Sequence, residues 1–507
     1  MNRKSTVREV AEADTTTPSN VMDVTDDPCE GRPIQIVTVD PETREFVLEE
    51  DALAGILLSD KCKDRPVSVV SIAGDFRKGK SFLLNFLLRY LNSKGYDSTT
   101  WLQDQDLPLK GFSWRGGAER DTTGILMWSE PFLVPLDQRR GGGPKEAAVL
   151  LMDTQGAFDS EYTVKDSATV FALSTMTSSI QVFNVLHNLQ EDNLQVLQTF
   201  TEYGRLAMEE SEETPFQNLI FLVRDWSFAY EHEFGQVGGE QLLNKKLVVN
   251  DRQPLQLQRV RKHIRSCFNS ITCFLMPHPG KTVATNPKFD GRISDIDEDF
   301  LEQLQVFVPI LLSPKNLVVK QIGGSDVTGR QLLEYFKVYI NIFKGETMPE
   351  PKSMLEATAE ANNRAAVALA RDHYSTSMEQ LCGGNMPFIH PKELEKKHNE
   401  VLASSIEVFE KTRKMGGREY SEAYQNELRD AIAEAWTHFD AQNNSKNVFS
   451  LLGAPAVLLV WTIVCFILSR IFEIIGIMIV SNLFMFFGTA SLILTITYMF
   501  FRYVTEP

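Results

Sequence analysis

The sequence predicts an α/β P-loop domain with a mostly parallel sheet, followed by an antiparallel three-helix bundle and a two-span transmembrane hairpin. Three observations carry that prediction. A Gly-rich stretch, Gly74-Asp75-Phe76-Arg77-Lys78-Gly79-Lys80-Ser81, stands between an apolar run and a helix-forming run. From Pro66 onward, apolar segments alternate with amphipathic ones, which is the rhythm of parallel βαβ units. After Lys446 the composition turns almost wholly apolar, in two blocks each long enough to cross a bilayer, which takes about 20 residues.

Residues 1–32 are acidic, Thr-rich and poor in large apolar side chains, so a disordered tail is expected there. The alternating run 34–39, the turn Asp40-Pro41-Glu42-Thr43 and the run 45–48 read as a β-hairpin leading into a domain that extends from 33 to 344. Within it the strand candidates are 67–72, 148–152, 219–223 and 272–275, with amphipathic stretches such as 193–203 between them.

Ligands bind at the carboxyl ends of such strands, and the polar motifs of this chain fall there. The Gly-rich stretch follows the first strand and opens a helix, the setting in which a P-loop has meaning. Gly74 and Gly79 let the backbone curl so that N–H groups around Lys78 point at phosphate oxygens. Lys80 would reach the β/γ-phosphates, and the Ser81 hydroxyl would hold Mg²⁺. Asp153 ends the second strand as a carboxylate able to reach the same Mg²⁺, and Gly156 gives a backbone N–H room to approach the γ-phosphate. Between the motifs, residues 115–124 form a polar, Gly-rich loop with Thr122 and Thr123, suited to be ordered by γ-phosphate and Mg²⁺. Arg224-Asp225 ends the third strand. The Asp225 carboxylate can accept from the ring N–H and amine of guanine, for which adenine has no matching donor pair, and the planar Arg224 guanidinium can stack on the base.

At 345–352 two prolines and a Gly make a linker. Ser353-Met354-Leu355-Glu356 then reads as a capping box that opens an alanine-rich helix, and the bundle is expected over 353–442. Its first helix stops at Gly383-Gly384. The second covers about 392–414, and the third starts near Glu419. Tyr420, Tyr424, Leu428, Ile432, Trp436 and Phe439 recur at helical spacing, which marks a core stripe and not a ligand box. Transmembrane helices are expected at 448–469 and 474–501, separated by Arg470 and Glu473, with 502–507 as a short cytosolic end. A connection this short puts both chain ends on one side of the membrane.

The net charge of −16 argues against general nucleic-acid binding, which needs a basic face. The six cysteines lack paired spacing, so neither a zinc site nor a disulfide framework is indicated, and a reducing compartment fits. Met1-Asn2-Arg3-Lys4 leads into polar residues, so no signal peptide is expected and both termini are expected in the cytosol.

The P-loop with its internal arginine, the Asp153-Thr154-Gln155-Gly156 loop, the Arg224-Asp225 pair, the bundle and the terminal hairpin together resemble the atlastins, dynamin-superfamily GTPases of the endoplasmic reticulum. Guanylate-binding proteins share the Arg-Asp pair and the P-loop arginine but lack the hairpin. The resemblance implies GTP hydrolysis, with homodimers formed in trans between facing membranes that are then fused. It implies that Arg77 is an arginine finger, Thr122 a Mg²⁺ ligand, and Phe82 a main-chain contact near the α-phosphate. Gln155 becomes a nucleotide contact, and Val283 and Asn286 the guanine cap. Ala157 stands where Ras-like enzymes carry a water-orienting Gln, so no single residue is assigned that role. Atlastins usually continue past the second span into an amphipathic helix, so a form lacking that tail is expected. Two alternatives to fusion stay open: a nonfusogenic tether, and a scaffold whose hairpin shapes the membrane.

Overall fold

The computed structural model describes residues 31–40, 43, 45–74, 78–93, 99–103, 106–114, 124–136, 145–154, 164–197, 206, 214–344, 349–384, 386–446 and 448–505. In the head, β1 (Pro33–Val39), β2 (Phe46–Leu48), α1 (Glu50–Leu57), β3 (Val67–Gly74) and α2 (Lys80–Ser93) come first. Then follow β4 (Ile125–Trp128), β5 (Phe132–Pro135), β6 (Glu146–Thr154), α3 (Val164–Thr177), β7 (Ile180–Leu186), α4 (Glu191–Gln195) and β8 (Phe216–Arg224). The head closes with α5 (Gln236–Leu247), α6 (Leu255–Cys267), β9 (Phe268–Leu275), α7 (Lys281–Thr285), α8 (Glu298–Leu312) and α9 (Gly329–Phe343).

The strands form one sheet in the order β2-β1-β4-β6-β3-β7-β8-β9, with β5 also paired to β6. Its core from β6 to β9 is parallel, and β1, β2, β4 and β5 add an antiparallel flank. Every residue of β3 is buried, as expected of a parallel strand covered on both faces. One face is covered by α1, α3 and α9, the other by α2 and α8. The four expected strands are present. The expected hairpin is also there, and β1 joins it to the sheet by pairing with β4. Strands β4, β5 and the central β7 have no counterpart among the expected strands. In β7, Gln181 and Asn184 interrupt the apolar run, yet both are buried.

The bundle consists of α10 (Pro351–Cys382), α11 (Pro391–Lys411) and α12 (Gly417–Ser445). Three boundaries differ from expectation, one being the end of α11 at Lys411, three residues short of 414. Helix α10 begins at Pro351 behind the N-cap Glu350, with no side-chain cap, so Ser353 lies inside the first turn and opens no capping box. Proline suits that first position, because its missing N–H has no helical partner there. Helix α12 runs on to Ser445, three residues past the expected bundle end.

Helix α10 has two halves with different neighbours. Met354, Ala357, Ala359 and Ala361 belong to the head's core. Thr358 Oγ1 donates to Tyr339 Oη at 3.3 Å, and Asn362 Nδ2 donates to Tyr335 Oη at 3.2 Å. Ala366, Ala370, Tyr374, Met378 and Cys382 instead pack against α11 and α12. Contacts run antiparallel to α11, from Asn363 Nδ2 to Met415 O at 2.8 Å and from Tyr374 Oη to His398 Nδ1 at 2.8 Å. Leu428, Ile432 and Phe439 are buried in this core, as the stripe on α12 predicts.

The hairpin is α13 (Val448–Ile474) and α14 (Met478–Thr505). Its inner seam is polar and small. Thr462 Oγ1 donates to Ser491 Oγ at 3.0 Å, and Ser469 Oγ lies 3.1 Å from Ser481 Oγ. Outward it presents Trp461, Ile479 and Phe486. That is the pattern of helices packed in lipid, where small and hydroxyl side chains hold the seam. The expected break at Arg470 and Glu473 is displaced. Both lie within α13, ion-paired at 2.9 Å, and the chain turns only after Ile474, with Gly476 at φ 85°.

Candidate nucleotide site

The site lies where β3, β6 and β8 end. Gly74, at φ 140°, closes β3 against Asn184 of β7, and a Cβ there would sit 2.0 Å from the Asn184 carbonyl oxygen. Gly79 has φ 73°, a left-handed turn that delivers the chain into α2. Lys80 is buried, and its Nζ donates to the Gly74 carbonyl at 3.3 Å, which holds the ammonium across the loop. Ser81 Oγ donates to Asp153 Oδ2 at 2.5 Å, and Asp153 is fully buried at the end of β6. A hydroxyl and a carboxylate side by side form a hard-oxygen pair. That chemistry fits Mg²⁺, which uses one or two protein oxygens and completes its shell with phosphate and water.

At the other end, Asp225 follows β8 at φ 57°, an unusual backbone for a residue with a Cβ. Its Oδ1 is buried without a hydrogen-bond partner among the described residues. A buried acceptor left open at a strand end is suited to a ligand N–H. Arg224 turns toward the P-loop. It is only 5% exposed, and its Nη1 donates to the Lys78 carbonyl at 3.3 Å. The guanidinium lies over the Phe300 ring, 5.5 Å from its centroid. Burial pulls its pKa below the ordinary arginine value. Arg224 thus braces the P-loop from beneath.

Asn184, not among the expected site residues, shares that brace. Its Nδ2 donates to the same Lys78 carbonyl at 3.0 Å, while its Oδ1 is buried without a partner among the described residues. The only signal was an Asn near the end of an apolar run, which carries weight only once β7 is placed beside β3.

The Phe82 side chain is buried in an aromatic cluster with Phe86, Trp114, Phe289 and Phe300, at centroid distances of 5.1, 5.0, 6.2 and 6.4 Å. Its main chain lies in the first turn of α2. Phe289 brings the segment after β9 against the P-loop helix. Val283, on α7, is half-buried against this core, and Asn286 is exposed as the cap of α7, its Oδ1 accepting from the Lys288 N–H at 3.0 Å. Arg77, Thr122, Gln155 and Gly156 lie outside the described residues. Among the described residues no cluster of three or more His, Cys, Asp or Glu could hold a metal.

Residues 43–321 match the family model described as guanylate-binding protein, N-terminal domain, and residues 323–448 match its C-terminal domain. The chain is 53% identical to Atlastin-3 of Homo sapiens over 472 residues, 93% of this chain and 86% of that protein. It is 52% identical to human Atlastin-2 over 487 residues, 96% of this chain and 82% of that one. Against Atlastin-1 of Bos taurus the identity is 51% over 474 residues, 94% and 84% of the two chains.

Proposed function

The chain belongs to the atlastin family and is a GTPase of the endoplasmic reticulum membrane that acts in membrane fusion; we propose that it couples hydrolysis in the head to movement of a helical lever. The observation that carries this reading is α10. Its first half lies on the head through alanine methyls and two side-chain hydrogen bonds, and its second half is the spine of the bundle. Packed helices joined by small side chains slide with little repacking, so a change of shape in the head moves the bundle as a unit. The bundle continues into the hairpin at Val448.

In this reading Gly74, Lys78, Gly79 and Lys80 cradle the phosphates, with the Phe82 main chain beside the α-phosphate. Gln155 contacts the nucleotide, and the Gly156 N–H approaches the γ-phosphate. Ser81 and Asp153, joined by Thr122, would hold Mg²⁺, whose charge would offset that developing on the transferred group. The 2.5 Å contact between Ser81 and Asp153 supports that pairing. Arg77 acts as an arginine finger from the chain's own P-loop. Asp225 reads guanine, Arg224 keeps the P-loop in place beneath it, and Val283 and Asn286 close the base side. Two copies on facing membranes pair through their heads, and both termini of each copy lie in the cytosol.

The test uses the full-length chain in donor and acceptor liposomes, with lipid mixing and GTP turnover measured together. Mixing is expected to require GTP with Mg²⁺. Arg77→Ala is expected to keep GTP binding and to lose turnover by about 10³–10⁵-fold, together with mixing. Undiminished mixing in a variant that does not hydrolyse GTP would contradict the coupling.

A further inference from the structure

We propose that the loop between α10 and α11 rests in the headgroup layer of the bilayer, a second footing for the bundle beside the hairpin. Helix α13 has 27 residues. At 1.5 Å per residue it extends about 40 Å, close to the roughly 40–45 Å of a bilayer with its headgroups. Its first turn therefore lies in the headgroup layer, and α12 ends at Ser445, just before it.

The loop is tied to that end of α12. The Ile389 N–H donates to Asn443 Oδ1 at 2.9 Å, and Asn443 Nδ2 donates back to the Ile389 carbonyl at 2.8 Å. Lys446 Nζ donates to the carbonyl of Cys382, the last residue of α10, at 2.8 Å and to that of its C-cap Gly383 at 3.1 Å. The loop thus lies level with residues 443–446, two residues short of the helix that enters the membrane.

What it presents there is apolar. Met386 is 44% exposed, Pro387 is exposed, and Phe388 and Ile389 are half-buried. An unbranched thioether beside an aromatic edge suits the boundary between headgroups and acyl chains, which takes apolar groups about 5–10 Å deep. Charge does not draw the loop to an anionic surface: exposed Lys392 stands beside exposed Glu393, and His390 Nδ1 accepts from the Lys392 N–H at 3.4 Å. Lys446 is engaged with backbone carbonyls, and the Glu379 carboxylate lies at this same end, against Gly383. The partner that fits is a zwitterionic lipid surface. The consequence is mechanical: a bundle held at two points keeps its tilt to the membrane and does not swivel on the short link into α13.

The test places benzoylphenylalanine at position 386 in the full-length chain, reconstituted into phosphatidylcholine liposomes. Lipid adducts are read by mass spectrometry after irradiation. Position 461, exposed on the hairpin, is the lipid-facing control, and position 411, at the head end of α11, is the aqueous one. Adducts at 386 and 461 but not at 411, with GTP turnover retained by the 386 variant, are the expected result. An adduct at 461 with none at 386 overturns the proposal. So does an adduct at 386 that forms only when anionic lipid is added, since contact would then be driven by charge.

Discussion

Two polar side chains with buried charged atoms show how much single residues decide in this head. Asp225 follows β8 with one carboxylate oxygen buried and, among the described residues, open, on a backbone that few residues adopt. Hydrogen bonds to charged groups are worth about 1.5–3 kcal/mol, so Asp225→Asn should weaken GTP binding by about 10- to 150-fold. Competition titrations with GTP and ATP check it, and unchanged GTP preference would remove Asp225 from base reading. Lys320 sits at the opposite end of the sheet, 1% exposed, with its Nζ donating to the Ser178 carbonyl at 2.9 Å. Burial pushes its pKa down to about 7 from 10.5. Below pH 7 the lysine is charged in both the folded and the unfolded chain, and its contribution is flat. Between about 7 and 10.5 the unfolded chain holds a proton that the folded one does not, so stability rises with pH. Denaturant unfolding of the protein and of Lys320→Met across that range should show the slope in the first and its loss in the second.

At the scale of elements, the joint between head and bundle is the sensitive place. Ala361 is fully buried where α10 meets the head. A larger side chain there has no space to fill, and overpacking of this kind costs about 1–3 kcal/mol. Ala361→Leu should therefore lower the unfolding midpoint and slow GTP-driven lipid mixing more than GTP turnover; equal losses in both would place its effect in the head alone. The elements that could be read from sequence are those whose burial is written in their own residues. The run 67–72, the stripe on α12 and the two apolar blocks after Lys446 are examples. Strand β7 was not readable, because Gln181 and Asn184 look polar until neighbouring strands enclose them. The same holds within the site. Ser81 and Asp153 announce themselves by motif, whereas the downward turn of Arg224 depends on Phe300, far along the chain. The end of α13 was misplaced because an Arg–Glu pair one turn apart reads as a break in an apolar run, yet it continues the helix.

At the scale of the whole molecule, a nucleotide cradle, a helix shared between head and bundle, and an apolar hairpin follow one another along the chain. The account's central claim is that nucleotide state in the first sets the position of the second. Spin labels at positions 248 on the head and 411 on the bundle, both exposed, report that geometry in the full-length chain in liposomes, and the described cysteines are buried. The measurement is the distribution of distances between the labels by pulsed electron resonance, with GDP and with a transition-state mimic of GTP hydrolysis. The account predicts a shift between the two states that is lost in Lys80→Ala; identical distributions with both nucleotides bound would contradict it.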